Sequence, residues 1–359
     1  MKILKSIAVG LFTGANVATL ALMWIACLVT YVPPEAAPRL SLVTHAFPAF
    51  LLANLAFVVF WLVFKVRRVW LPAVGIALVG CFVRDYCPVN LPSPAPAESW
   101  KVISYNTQNL GGKEADAVGD TNAIVAYLAK SNADIICLQE SYGPARQKQL
   151  RETFQGLGYE MAEHKGQILC TRLHIVSSDT ISYPTRSNGG MMALLCDGND
   201  TILLINNHFE SNHLTPEVKR EYRHAVREHQ RDSMLEELSP MLSLLARAAP
   251  MRSQQTDTIV DLVERWLPRP VILCGDFNDT PVSYTHRRLT SRLTSAFTQS
   301  STGLGFTYHD RGFPVRIDHI LFSGDHFRSF DTHVDHSLCY SDHFPIITFL
   351  TKDKEKAGK

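Results

Sequence analysis

The sequence predicts an α/β domain carried on an N-terminal transmembrane helical anchor, and two observations carry that prediction. Roughly the first ninety of the 359 residues are apolar with hardly a carboxylate, whereas the remainder has the mixed composition of a soluble domain. Within the remainder, several apolar, strand-like segments each end in a polar side chain. Buried strands that finish at one shared rim have this build.

The anchor comes first along the chain. Ile7 to Val32 and Leu42 to Phe64 are each long enough to cross a bilayer, which takes about 20 residues. A third run, Val69 to Val83, is short and is interrupted by Arg84 and Asp85; it spans if that polar pair sits at the interface. A secretory signal peptide is the rival for the first run alone, with Lys2 and Lys5 ahead of it, but the second long run argues against simple secretion. Lys2 and Lys5 precede the first run, and Lys65, Arg67 and Arg68 lie between the second and third, so these ends are expected in the cytoplasm. With three spans the following domain lies outside the cytoplasmic membrane, and with two that side inverts. The expected organisation is an anchor over 1–90, a stiff Pro-rich linker over 91–99, a catalytic domain over 100–352 and a charged tail over 353–359.

A net charge of +1 and a pI near 7.7 give no global basicity that would point to nucleic acid, and no acidic bias against it. Eight cysteines without a C-x-x-C pair do not form a disulfide or iron–sulfur framework. Cys137, Cys170, Cys196 and Cys274 lie in or beside apolar runs, where a free thiol acts as a small core hydrophobe.

The most informative segment is Val271-Ile272-Leu273-Cys274-Gly275-Asp276-Phe277-Asn278-Asp279. Residues i and i+2 of an extended chain share a side, so Asp276 and Asn278 are presented together. A carboxylate beside a carboxamide suits water activated against phosphorus; the competing reading is a turn capped by its own Asx side chain. Val102 to Asn106, Asp134 to Glu140 and Ile202 to His208 end in an amide, a carboxylate and a histidine, and Arg316 to Phe322 leads on to Ser341-Asp342-His343-Phe344-Pro345.

These motifs, in this order over roughly Trp100 to Leu350, resemble the endonuclease/exonuclease/phosphatase superfamily. That superfamily includes pancreatic-type DNases, abasic-site endonucleases, inositol-polyphosphate phosphatases and neutral sphingomyelinases. The resemblance implies a DNase I-like, four-layered α/β/β/α sandwich with its side chains gathered at one end of the sheets. It further implies a Mg²⁺ site, with Mn²⁺ an alternative, in which Glu140 is the principal ligand and Asn106 and Asp342 complete the set. Asp276 falls where the family orients or deprotonates the attacking water, and Asn278 where it holds a water or phosphate oxygen. His343 falls where a histidine contacts the scissile phosphate, paired with the aspartate that maps to Asp318. His208 matches the histidine of the DNase and sphingomyelinase branches, the proposed acid to the leaving oxygen.

Other features admit plainer readings. His333, His336, Cys339 and His343 crowd together but follow no familiar zinc pattern. His319 replaces a residue that is often aromatic in the family, and is expected as a half-buried strand residue pointing away from Asp318. A helix is expected over Pro216 to Leu238 and another over Gln254 to Trp266, joined by an apolar segment. Lys219, Arg223, Arg227 and Arg231 recur at i+4 as a basic stripe, read first as a solvated face and second as a surface for phosphates. Thr285 to Phe297 is expected as a further helix, and Gly303 to Tyr308 resembles a loop of the bacterial membrane-anchored members, with Phe306 and Tyr308 candidates for the groove.

The expected function is therefore metal-dependent hydrolysis of a phosphodiester at a bacterial inner membrane, on nucleic acid or a phospholipid-type headgroup. The alternative is a catalytically silent, membrane-anchored binding protein on the same fold.

Overall fold

The computed structural model describes residues 2–116, 121–185, 188–198, 200–228, 231–310 and 314–353. Helices over Lys2–Val29 and Phe47–Phe64 open the chain, and the apolar stretches Ser6–Val29 and Pro38–Phe64 are long enough to cross a membrane. The third run is not one straight helix. Val66–Ala77 and Gly80–Tyr86 meet at a 68° bend. The Arg68 guanidinium lies over the Trp61 ring, Trp24 Nε1 donates to the Gly75 carbonyl at 2.9 Å, and the Tyr86 ring lies 5.8 Å from that of Phe47. The bent run thus starts beside the far end of the second helix and finishes beside its start. Gly75 lets the bent run approach the first helix closely, since a Cβ there would meet the tip of the Leu20 side chain at 2.3 Å. Buried Asn16 and Asn54 bond to one another at 3.0 Å between the first two helices, a polar tie typical of apolar bundles.

Two six-stranded sheets follow. One holds β1 (Trp100–Asn106), β2 (Ile135–Gln139), β3 (Glu160–His164), β4 (Gln167–Thr171), β11 (Phe327–Val334) and β12 (Ile346–Lys352), in the order β11-β12-β1-β2-β4-β3. The other holds β5 (His174–Ile181), β6 (Gly190–Asp197), β7 (Asp200–His208), β8 (Val271–Asp276), β9 (Thr294–Ser295) and β10 (Asp318–Phe322), in the order β5-β6-β7-β8-β10-β9. Each is mixed, with one parallel pair at its centre, β1/β2 and β7/β8. A parallel pair needs a crossover, and each crossover carries a helix on the outer face of its sheet.

Residue alternation then sets the layers. Val102, Ile135, Cys137, Leu204, Ile272, Cys274 and Ile320 form the core between the sheets. Their neighbours Ile103, Tyr105, Ile136 and Leu138 pack outward on the helix Ala123–Lys130 and on Leu150 and Phe154. Leu203, Ile205, Val271 and Leu273 pack outward on Ile259, Val260 and Val263. The result is helix, sheet, sheet, helix, a DNase I-like α/β fold as expected.

Two helix expectations need correction. The expected Pro216 to Leu238 helix is helical over Pro216–Glu228 and again from Arg231, in a second helix over Arg231–Trp266, with residues 229 and 230 outside the described residues. That second helix begins before the apolar segment rather than after it, and runs through Pro240 and Pro250. Thr285 to Phe297 is not one helix but Tyr284–Thr290, the short strand β9 and Ala296–Ser300, because Ser295 caps the last piece by accepting from Thr298 N.

Candidate active site

Strand parity delivers the candidate residues to one place. Val102, Ser104 and Asn106 point between the sheets, as do Ile202, Leu204, Asn206 and His208, then Ile272, Cys274 and Asp276, and Asp318 with Ile320 and Phe322. Each polar residue therefore continues the inward-facing row of its own strand, where the apolar core gives way to a rim. Register completes the gathering. Parallel pairing sets Asn106 opposite Gln139 and His208 opposite Asp276, while antiparallel pairing sets Asp318 opposite Asp276.

Beneath the rim lies a buried polar floor. Gln139 Nε2 donates to Asn206 Oδ1 at 2.7 Å, and Asn206 Nδ2 donates to the carbonyls of Leu138 and Ile168 in the opposite sheet. These bonds satisfy amides that would otherwise be costly to bury, and they tie the sheets together below the site.

Asn106 Nδ2 donates to Glu140 Oε1 at 3.1 Å and to Asp276 Oδ2 at 3.0 Å. Its Oδ1 accepts from Gln108 N at 3.2 Å in a turn. Glu140 follows β2 at φ 51°, a left-handed conformation uncommon for a non-glycine residue, which places its carboxylate at the pocket. Asp276 divides its two oxygens. Oδ1 accepts from Asn278 N at 2.8 Å in an Asx turn, while Oδ2 lies 3.4 Å from His208 Nε2 and 3.7 Å from His343 Nε2. The other nitrogen of His343, Nδ1, lies 2.8 Å from Asp318 Oδ2. Asn278 Nδ2 is tied to the Phe209 carbonyl at 3.0 Å. Asp342 lines the same pocket, fixed by its N–H to Gln108 Oε1 and its carbonyl to His309 N.

The charges follow from this crowding. Burial and the neighbouring Asp318 carboxylate push Asp276 up to about 7. Burial likewise raises Glu140, against the Asn106 hydrogen bond and the His343 charge. Burial alone would depress His343, but the Asp318 and Asp276 carboxylates outweigh it and push the imidazole up to about 10. His208, buried and facing that cation, is pushed down to about 3.

Glu140 and Asp342 offer carboxylate oxygens to the pocket, a pair that suits a hard divalent cation, while Asn106 reaches Glu140 through its Nδ2. Among the described residues, the tightest group of potential ligand atoms is instead Asp276, Asp318 and His343, all within 4.8 Å. In that trio the His343 imidazole lies between the two carboxylates, Nδ1 toward Asp318 and Nε2 toward Asp276. Asp318 Oδ1, buried without a hydrogen-bond partner, is the one atom of that trio left over.

The site includes residues that motif reading missed. Asn188 Nδ2 lies 3.1 Å from His208 Nε2 and bonds the Phe209 carbonyl, from a loop with no sequence signal. Arg252, fully buried, donates to the Glu210 carbonyl and to Asn212 Oδ1, and lies 3.8 Å from Asp279. Thr307 Oγ1 accepts from the N–H groups of Ile317 and Asp318 and so fixes the start of β10. Lys219, expected on a solvated face, turns inward to Tyr308 Oη and Asp310 Oδ2, both at 2.6 Å, and Tyr308 packs edge-on against His343. The side chains of Arg223, Arg227 and Arg231 lie outside the described residues. His319 is fully buried rather than half-buried, and packs away from the site between the rings of Phe277 and His286.

The comparisons with known proteins agree with this architecture. A profile of a domain of unknown function matches residues 9–86. No curated protein gives a match. Similar solved structures include an endonuclease/exonuclease/phosphatase from Bacteroides vulgatus, at 16% identity and a TM-score of 0.51, covering 71% of this chain and 99% of that one. SmcL is similar at 13% identity and 0.51, covering 71% and 100%, and truncated TDP2 from Caenorhabditis elegans at 16% and 0.50, covering 71% and 98%. At such identities the likeness shows the fold alone. The profile of the Endonuclease/Exonuclease/phosphatase family matches residues 103–343, well over half of the sequence, and the chain belongs to that family.

Proposed function

We propose that the protein is a membrane-anchored, divalent-metal-dependent phosphoesterase that hydrolyses a phosphodiester by attack of water. The observation that carries this reading is the convergence of Glu140, Asp276 and His343 on one pocket, with Asn106 bonded to both carboxylates and His208 3.4 Å from Asp276. Mg²⁺ or Mn²⁺, when bound, supplies positive charge against the phosphoryl oxygens, and Glu140, Asn106 and Asp342 are the residues that would hold it. Asp276 takes or orients the proton of the attacking water through Oδ2, since Oδ1 is committed to Asn278. His343, aimed by Asp318, presents Nε2 to a phosphoryl oxygen and stabilises the charge that grows there. His208 gives a proton to the leaving oxygen, and the negative charge of a bound diester opposes the burial that depresses this histidine. The water oxygen bonds to phosphorus, the bond from phosphorus to the leaving oxygen breaks, and the products are a phosphomonoester and an alcohol. Asn278 acts by positioning Asp276.

The anchor over 1–90, linker over 91–99, catalytic domain over 100–352 and tail over 353–359 belong to the same proposal. The bent third run is a crossing on this reading, because it finishes beside Phe47 and Tyr31, the end from which the second helix starts. The catalytic domain then stands opposite Lys65, Arg67 and Arg68, outside the cytoplasm of a bacterial inner membrane. A silent binding protein is disfavoured because all eight candidate residues are present, six of their side chains joined by the contacts above. The test is hydrolysis of bis-p-nitrophenyl phosphate by the full chain in detergent. We expect turnover that EDTA removes and Mg²⁺ or Mn²⁺ restores, and that Glu140→Ala lowers about a thousand-fold or more. Turnover that persists in EDTA or in that variant would sink the reading.

A further inference from the structure

The pocket above the candidate residues is not made by the catalytic domain alone. Its volume is about 450 Å³, and its wall includes His45, Pro48 and Tyr86 from the N-terminal segment, facing Met241 and Leu245 of the long helix. The segment is fixed there by specific bonds. Arg316, 3% exposed, donates to the backbone carbonyls of Asp85 and Tyr86 and to that of Leu304, with its guanidinium stacked 3.8 Å from the Phe297 ring. Ser253 Oγ donates to Glu35 Oε2 at 2.7 Å, and Asn90 Nδ2 donates to the Ser301 carbonyl at 2.6 Å. A buried guanidinium is costly unless its donors find acceptors, and here the N-terminal segment supplies both acceptors of Nη2 while Nε is left without a partner.

The height of the pocket relative to the spans is the second observation. Glu35 follows the first span, His45 and Pro48 lie where the second begins to run through its apolar stretch, and Tyr86 closes the third run. The pocket therefore opens at the layer where polar headgroups meet the hydrocarbon core. Beside it, a groove between Leu40, Leu42 and Leu242 carries Arg39 and Arg247, cations over an apolar floor, as at a bilayer surface.

We propose that residues of the N-terminal segment are part of the substrate site and not only a tether. The phosphodiester cleaved here belongs to an amphiphile whose headgroup enters the pocket while its apolar chains remain in the membrane. This rests on the phosphodiesterase reading above and narrows it. A pocket of this volume takes one headgroup, within the usual range for small-ligand sites, with Pro48 and Tyr86 in its wall. Leaving the chains in the bilayer avoids an extraction cost that grows with every methylene.

The experiment uses the full chain in proteoliposomes containing phosphatidylcholine, phosphatidylglycerol, phosphatidylethanolamine and sphingomyelin. Headgroup release is compared with cleavage of plasmid DNA, of bis-p-nitrophenyl phosphate and of short-chain, water-soluble analogues of the same lipids. We expect one long-chain lipid to be cleaved about a hundred-fold more efficiently than its short-chain analogue, and DNA more slowly than either. In Tyr86→Ala and in Met241→Glu, the ratio of lipid to bis-p-nitrophenyl phosphate turnover should fall at least about ten-fold. Faster cleavage of DNA, equal rates for long and short chains, or an unchanged ratio in both variants overturns this proposal and leaves the phosphodiesterase standing. No turnover of any substrate, bis-p-nitrophenyl phosphate included, overturns both.

Discussion

At the scale of single residues, the proposed roles and the local structural ones use different atoms of the same side chain. Asp276 caps its own turn with Oδ1 and faces His208 and His343 with Oδ2; Asn106 turns the chain with Oδ1 and reaches both carboxylates with Nδ2. The Asx turn at Asp276 therefore does not compete with the proposed role, because it occupies one carboxylate oxygen and leaves the other facing the histidines. His208 carries a prediction at this scale. If it protonates the leaving oxygen, His208→Asn should lower kcat by about a hundred-fold or more on an alkyl diester, whose alkoxide needs the proton. The loss on bis-p-nitrophenyl phosphate, whose phenolate leaves without one, should be much smaller. Equal losses on the two esters would assign His208 to phosphate binding instead. Asn106, Glu140, His208 and Asp276 were legible because each ends a recognisable apolar run, and Asn278, Asp318, Asp342 and His343 because of motif order. Asn188, Arg252 and Thr307 were not, since they sit in loops and a helix where nothing local distinguishes them.

At the scale of elements, the strands were far more legible than the helices. A strand of this fold is buried on both faces and reads as an unbroken apolar run, so Val271 to Asp276 and Ile202 to His208 announced themselves. The helix Arg231–Trp266 did not, because Pro240 and Pro250 read locally as breaks and only packing against the sheet and the N-terminal segment keeps the helix continuous. One glycine gives the test. Gly275 lies at φ 147° in the centre of β8, and a Cβ there would fall 1.8 Å from the carbonyl oxygen of Asn207 in the adjacent β7. Backbone cannot yield as a side chain tip can, so Gly275→Ala should separate β7 from β8 where His208 and Asp276 face each other. We expect a loss of about 3 kcal/mol or more in unfolding free energy and near-complete loss of turnover. A variant as stable and active as the parent would show that this strand pair is looser than the geometry says.

At the scale of the whole molecule, the joint between the N-terminal segment and the catalytic domain turns on Arg316. Replacing it with methionine keeps the bulk against Phe297 but leaves the carbonyls of Asp85, Tyr86 and Leu304 without their donor. Such losses cost about 1–3 kcal/mol each when buried. Arg316→Met should therefore let the segment lift, and limited proteolysis should cut the Pro-rich stretch 91–97 markedly faster than in the parent. An unchanged cleavage rate would mean that other contacts, such as Ser253 with Glu35, suffice to hold the joint. Taken by itself, the sequence determined the long apolar N-terminal runs, the central strands and the family, because hydropathy, alternation and motif order are local properties of a chain. Only the tertiary structure decided that the N-terminal segment folds back to wall the pocket, that Lys219 turns inward to Tyr308, and that buried Arg316 bonds the backbone of that segment. These are contacts between residues up to some two hundred positions apart, and no local pattern of side chains encodes them.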